Sequence, residues 1–385
     1  MMGDVTPGLI ADYEPGSFLL AAPDRTLLAT GVRHVFADPD PDELATRVTK
    51  QLVDSDVPVA VGALPFDDAT APHVVLPRSV RWGGPVRPAA ITPPVLPELL
   101  ETVPVPTPAE HERSVAAAVA LLRAGELDKV VLARSLRLRL AGRLDTIALL
   151  ANLAADNATG YTYAVDLPAA GARRTLVGAT PEMLLSRTGQ TVVANPFAGS
   201  MPRDPDPVRD RQAGEALVAS EKDREEHRVV IDSVVDALRP FCRTLTVTGP
   251  TLVGTSAVWH LATRITGELA DPGISSLRLA AALHPTPAVC GRPAGLARET
   301  IARIEPFDRG FYAGAIGWCD AAGDGQWVVG IRCAEITEPA AGPDSTVTLY
   351  AGGGIMPASQ PDLELAETSA KFRTLLRAMG LTIPL

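Results

Sequence analysis

The sequence predicts an α+β protein with large, mainly antiparallel sheets flanked by helices. Predicted strands follow one another in adjacent hairpins, with helices inserted between groups of them. No internal repeat and no strict strand–helix–strand alternation runs through the chain. The glycine run Gly352-Gly353-Gly354 lacks the spacing and the following acidic residue of a dinucleotide fingerprint, so a nucleotide-binding reading is weak.

Residues 18–30 read as two short strands around a Pro23-Asp24 turn. Residues 39–51 read as a helix started by Asp40 or Pro41. Strands follow at 59–65 and 73–77. Residues 85–108 are proline-rich, with Pro93, Pro94, Pro97, Pro104, Pro106 and Pro108, and read as a crossing segment. An amphipathic helix over 109–124 ends at Gly125, and an alternating strand runs from Lys129 to Leu140. A helix is expected at 145–156, strands at 161–166 and 175–178, and a short element from Pro181. The strand 192–194 leads into a loop, 197–203. One long helix is expected over 208–238, followed by strands at 245–247 and 258–265 and helices at 275–282 and 294–304. Paired strands at 312–319 and 326–336 flank a hairpin loop, Asp320 to Gly325. The last strand, 345–351, ends in the glycine run, which leads into a helix at 361–379.

The 385 residues are 46% hydrophobic, enough for a large core. The formal net charge is -10, and no basic tail or stripe is present, so no nucleic-acid partner is expected. Four cysteines (Cys242, Cys290, Cys319, Cys333) stand singly, without a C-x-x-C pair. Cys290 and Cys319 read as buried apolar fillers. Residues 1–15 hold three acidic side chains and no basic start, so no secretory signal is expected. Every apolar run is too short to span a membrane. A cytoplasmic protein with no membrane partner is the expectation.

Two helices carry inward carboxylates. Glu364, Glu367 and Lys371 share one helix face that continues into Leu375. Asp223 and Glu226 share a stripe with Val230 and Val234, while Glu221, Glu225, Arg228 and Asp232 read as the solvated side. Ser220 reads as an N-cap, which gives Asp223 an ordinary first-turn explanation as well as a functional one. Buried like charges are costly without a cation or ligand. The two helices together therefore point to a divalent metal or a catalytic carboxylate pair. Mg2+, which takes oxygen ligands and keeps part of its water, fits such a clamp. Either helix alone reads as a charged surface helix.

Six blocks, in order, resemble the chorismate-utilising enzyme family, whose fold is shared by isochorismate synthases, salicylate synthases and the large subunit of anthranilate synthase. They are Lys129-Val-Val-Leu-Ala-Arg134, Gly178-Ala-Thr-Pro-Glu182, Ala198-Gly-Ser-Met-Pro-Arg203, Ser220-x-Lys-Asp-x-x-Glu-His227, Ile331-Arg332, and Gly352 to Lys371. The likeness runs from about Phe18 to the C-terminus. Trp259-His-Leu-Ala-Thr263 and His284-Pro-Thr-Pro-Ala-Val-x-Gly-x-Pro293 are most similar to isochorismate synthases. The resemblance implies one chorismate-binding domain over 1–385, with a strand-rich part over about 1–108 and the catalytic core over about 109–385. It implies chorismate and isochorismate as ligands, and a monomer. Gly353 stands where the family more often has alanine, and Met201 where isoleucine is frequent.

The resemblance also implies roles. Glu226 and Glu367 would ligate Mg2+ directly, Glu364 would act through a metal-bound water, and Asp223 would support them. Lys129 would activate water for addition at ring C2, and Glu182 would protonate the departing C4 hydroxyl. A lysine serves as base only when neutral, and a glutamate as acid only when protonated; burial favours both. Arg332 would grip the enolpyruvyl carboxylate with Tyr312 beside it. Gly352 and Gly354 would approach the substrate, Gly199 and Ser200 would form a loop near the acid, and Lys371 would screen the carboxylates. His260 and His284 are read as orienting or packing groups, His284 holding its loop over the ring. Without the resemblance, Lys129 reads as a solvated strand-end residue, Glu182 as a first-turn glutamate, Tyr312 as a core aromatic and Lys371 as a helix ion-pair partner of Glu367.

The activity implied is that of an isochorismate synthase, an isomerase. Two alternatives stand beside it: a salicylate synthase, which would go on to eliminate pyruvate, and a non-catalytic chorismate-binding regulatory protein. An aminating synthase would need ammonia from a separate glutaminase. Siderophore and menaquinone biosynthesis are both open as destinations of the product.

Overall fold

Hairpins account for most of the strand residues among the described residues. The computed structural model describes residues 8–86, 96–255 and 258–385. Residues 1–7 of the acidic start, and Pro93 and Pro94, lie outside these. The first elements are β1 (Phe18–Ala21), β2 (Thr26–Phe36), α1 (Pro41–Val53), β3 (Val59–Leu64), β4 (His73–Gly83) and β5 (Leu99–Val105). Next come α2 (Pro108–Arg123), β6 (Lys129–Leu140), α3 (Thr146–Asp156), β7 (Tyr161–Leu167), β8 (Ala172–Thr180), β9 (Met183–Thr188), β10 (Thr191–Ala194) and β11 (Phe197–Pro202). Two consecutive helices, α4 (Pro207–Ala219) and α5 (Glu221–Leu238), precede the ribbon of β12 (Cys242–Gly254) and β13 (Val258–Leu269). The chain closes with α6 (Ser276–Leu283), β14 (Gly291–Arg292), α7 (Ala294–Ile304), β15 (Ala315–Asp320), β16 (Gly325–Val329), β17 (Cys333–Pro339), β18 (Ser345–Ile355) and α8 (Pro361–Ala378).

Helix starts follow local chemistry. Asp40 caps α1 by accepting from the amides of Asp42 and Glu43. Thr107 and Glu110 form a reciprocal capping box on α2, and Ser220 caps α5 by accepting from the Asp223 amide. Each such cap stabilises its helix by about 1 kcal/mol.

All strand pairings among the described residues are antiparallel, and they trace one continuous ribbon. It begins with β5 and β14, both on the same edge of β6. From there it passes through β18, β17, β8, β7, β1, β2 and β4. It continues through β3, β15, β16, β9 and β10 to β13, which pairs with β11 and β12. One apolar core packs α3 and α8 against the outer half of β6 and β18 through Leu136, Leu138, Leu149, Leu349, Phe372 and Leu375. The other joins β3, β15 and β16 to α1 and α6 through Val48, Val61, Leu279, Ile316 and Trp327. The α+β expectation holds.

Several boundaries differ from the sequence reading. The proline-rich segment contains a true strand, β5, paired among the described residues only with β6; an edge position tolerates Pro104. The long helix expected over 208–238 is broken at Ser220, whose extended backbone starts α5. The loop expected at 197–203 is β11, bulged at Gly199. The strand expected over 326–336 is split into β16 and β17 around Arg332, which has a φ of 51°. Tyr312 precedes β15 instead of lying in it. The glycine run does not end a strand: β18 continues through it to Ile355. Only Leu136 to Leu140 of β6 alternates, because Lys129 to Ser135 is buried on both faces.

Candidate active site

The two ends of the ribbon face each other across a cavity. β6 and β18 supply one wall and β11 and β13 the other, with α5 packed on β11 and α8 packed on β18. The loop between α6 and α7 adds Ala288 and Val289.

Glycines of β18 and β11 let side chains from α5, α8 and β6, and Tyr312, approach the wall closely. A Cβ on Gly354 would sit 2.2 Å from Glu226 Oε1 and 2.9 Å from Lys129 Cε. One on Gly352 would sit 2.7 Å from the Tyr312 hydroxyl, and one on Gly353 3.3 Å from Glu364 Oε2. Gly199, with a φ of 74°, turns the β11 bulge against Asp223.

Three lysines each meet one glutamate. Lys129 Nζ lies 2.8 Å from Glu226 Oε1, Lys222 Nζ 3.3 Å from Glu364 Oε1, and Lys371 Nζ 2.6 Å from Glu367 Oε1. Lys371 also donates to the Gly352 carbonyl, tying α8 to the glycine run. Burial pushes the Glu364 carboxyl up, and the neighbouring Glu367 adds to this. Burial acts upward on Glu367 too, but Lys371 and the Ser200 hydroxyl outweigh it and hold its carboxyl below the usual range. Burial raises Asp223 as well, opposed by Ser220.

Glu182 lies in the opposite part of the wall, 3% exposed. Burial raises its pKa to about 7, against the backbone amide of Phe197 and the charges of Lys129 and Arg332. The carboxyl therefore holds a proton far above the ordinary glutamate range. Arg332, 6% exposed, donates from Nη2 to His260 Nε2 at 3.2 Å. His260 Nδ1 in turn donates to the Gly199 carbonyl at 3.3 Å. Burial and the Arg332 charge lower His260 to about 3, so the ring is neutral and these two bonds define its tautomer. Among the described residues Arg332 forms no salt bridge, which leaves a guanidinium in the wall able to take a carboxylate. Tyr312 stacks on Tyr350 at 4.8 Å, and burial raises its hydroxyl pKa.

The cavity thus brings together Glu182, Gly199, Ser200, Glu226, Tyr312, Arg332, Gly352, Gly354, Glu367 and Lys371. Glu364 and Asp223 stand behind this layer, against Gly353 and Gly199. Lys129 is not a solvated strand end: it is 1% exposed and meets the cavity through Glu226. His284, read as an orienting or packing group that holds its loop over the ring, does not line the cavity. Its Nε2 donates to the Pro65 carbonyl at 2.9 Å and it faces a separate pocket with Phe66 and Arg298. Only the far part of its loop reaches the cavity. The sequence gives no site role to Lys222 and an orienting or packing role to His260, and both lie in blocks that carried the resemblance.

Among the described residues no three His, Cys, Asp or Glu side chains are gathered closely enough to hold a metal ion. The donor set nevertheless fits a hard divalent cation: Glu226, Glu364 and Glu367 offer carboxylate oxygens, and Glu364 Oε2 is buried without a hydrogen-bond partner. No helix is long and apolar enough to cross a membrane among the described residues.

The family model for chorismate binding enzymes matches residues 90–380. The isochorismate synthase DhbC of Bacillus subtilis strain 168 is 47% identical over 393 residues, covering 97% of this chain and 96% of that protein. The crystal structure of DhbC from Bacillus anthracis superposes with a TM-score of 0.90 at 43% identity, covering 97% of this chain and 99% of that one. That of MenF, the menaquinone-specific isochorismate synthase from Escherichia coli, gives a TM-score of 0.83 at 25% identity, covering 98% and 92%.

Proposed function

The chain belongs to the chorismate-binding enzyme family, and from that membership we propose that it is an isochorismate synthase, an isomerase that interconverts chorismate and isochorismate. The observation that carries this reading is the meeting, in one cavity, of a glutamic acid that keeps its proton to about pH 7 and an arginine free to take a carboxylate.

Arg332 binds the enolpyruvyl carboxylate through paired N–H groups, with the Tyr312 hydroxyl beside it and neutral His260 fixing the guanidinium from behind. Water adds at ring C2 as Lys129 takes its proton. The ring double bonds shift, the C4–O bond breaks, and Glu182 gives its proton to the departing hydroxyl, which leaves as water. One water enters and one leaves, so substrate and product are isomers. In the return direction Lys129 starts protonated and Glu182 deprotonated.

Glu226 and Glu367 would hold Mg2+, with Glu364 and Asp223 behind them. The ion, when bound, would orient and neutralise the ring carboxylate of the substrate. Three lysine partners keep this acidic cluster near neutrality, and Lys371 fixes the glycine run against which the substrate lies.

Product chromatography of purified protein with chorismate and Mg2+ tests the reading. Isochorismate without pyruvate is expected. Salicylate with equimolar pyruvate would replace this reading with that of a salicylate synthase.

A further inference from the structure

β6 has a gap along one edge. β14 pairs with it at Lys129 and Val130, and β5 begins at Ser135. Between them no strand covers Val131 to Ala133 among the described residues, yet this stretch is buried and pairs on its other edge with Gly352 to Gly354. Exposed ladder groups inside a core must find partners. Here they find side chains. Glu305 Oε1 accepts from the Ala133 amide at 2.7 Å, and Arg309 Nη2 donates to the Val131 carbonyl at 2.9 Å. The Val131 amide is taken by the Cys290 carbonyl.

The same two side chains lock to each other. Arg309 Nε and Nη2 meet the two Glu305 oxygens at 2.8 and 2.5 Å, and the residues are 3% and 9% exposed. Arg309 Nη1 donates to the Val289 carbonyl at 2.8 Å, on the loop that lines the cavity. Its guanidinium lies 4.3 Å from the Phe66 ring centroid and 5.7 Å from that of Tyr312. The Tyr312 amide donates to the Arg309 carbonyl.

We infer that Glu305 and Arg309 are positioning residues for the isomerisation: acting as a surrogate strand on β6, they set the β6–glycine-run wall, the Ala288–Val289 loop and Tyr312 in fixed relation to one another. The inference rests on the isochorismate synthase reading, because its effect is read in that reaction. Neither side chain lines the cavity, so any effect on turnover passes through the groups they hold. Few other side chains can replace the pair. A lysine ammonium donates from one point and cannot span Glu305, Val131 and Val289 as the planar guanidinium does.

Arg309→Lys and Glu305→Gln test this in the full chain. Gln keeps an acceptor for the Ala133 amide but removes the anion facing Arg309. Wild-type protein must first convert chorismate to isochorismate in the same assay; if it does not, the functional reading has failed and not the positioning inference. With that satisfied, each variant that melts cooperatively is expected to lose roughly 10-fold or more in kcat while KM changes far less, since small misplacements of catalytic groups cost rate steeply. The double variant is expected to lose less than the product of the two single losses. A lowered melting temperature with wild-type kcat and KM in either folded variant would reduce the pair to a purely structural role and overturn the inference. If Arg309→Lys does not fold, Glu305→Gln alone decides.

Discussion

Lys129 and Glu226, on β6 and α5, form a buried ion pair at 2.8 Å, with side chains 1% and 11% exposed. Gly354 leaves the room for it, since a methyl group there would fall 2.2 Å from the same glutamate oxygen. The proposed water-activating base and a carboxylate of the proposed metal site are thus one electrostatic unit. Any substitution at one is read at the other.

Glu226→Gln is expected to weaken Mg2+ binding, to impair turnover severely and to leave Lys129 as an uncompensated buried charge. Breaking a buried pair from one side destabilises by about 3–5 kcal/mol. Glu367→Gln should impair turnover similarly while freeing Lys371. Turnover across a Mg2+ titration, alongside thermal melts, measures both effects. Wild-type activity at limiting Mg2+ in either variant would rule out the two-helix metal site.

Glu182 has its pKa raised from 4.5 to about 7, with burial the largest cause. A charged Lys129 already contributes to that value, so it describes proton loss from the doubly protonated pair. Below it both groups hold protons and no base is available. The rate is therefore expected to fall as the pH drops through about 7. The forward-ready and reverse-ready pairs hold one proton each, so kcat/KM should show the same limb in both directions. Glu182→Gln should lower turnover by roughly 10²–10⁴ and erase the limb. The stability consequence has the opposite sense. A raised acid pKa stabilises the fold fully below 4.5, and that contribution is lost as the pH rises through about 7. pH-rate profiles and pH-dependent melts of both proteins measure this; an unchanged limb in the variant would remove Glu182 from the acid role.

Gly354→Ala and Gly353→Ala should differ sharply. The first drives a methyl group into Glu226 and Lys129, while the second meets Glu364 Oε2 at 3.3 Å, where a small shift suffices. Both residues lie in β18, so the fold should persist. A loss of roughly 100-fold in kcat/KM is expected for Gly354→Ala, as for an ångström-scale misplacement, and a much smaller one for Gly353→Ala. Equal activities in steady-state assays would show that the close approach at Gly354 has no catalytic consequence.

Much of this site could be read from the chain because it is built from local patterns. The caps Asp40 and Ser220, the span of β6 and the inward faces of Glu226 and Glu367 all follow from spacing and side-chain type. The strand continuing through Gly352 to Gly354 was hidden because glycine is a poor strand former; its reason is the crowding by Glu226 and Tyr312, residues far away in sequence. Arg332 interrupts β16 and β17 with a φ of 51°, a conformation that an arginine gives no local sign of adopting. Its partner His260 sits on the other end of the ribbon. The position of His284 outside the cavity has a similar cause: its loop does reach the cavity, but through Ala288 and Val289, and the imidazole donates to Pro65. The Lys129, Lys222 and Lys371 pairings with glutamates required tertiary structure except for Lys371, whose partner lies one turn away on α8.

A reversible isomerisation by one acid and one base must reach the same equilibrium from both sides. Chorismate and isochorismate are supplied separately to the Mg2+-loaded protein, and both isomers and pyruvate are followed by chromatography. Both reactions are expected to converge on the same chorismate–isochorismate mixture with no pyruvate released. One-way conversion accompanied by equimolar pyruvate would contradict the account.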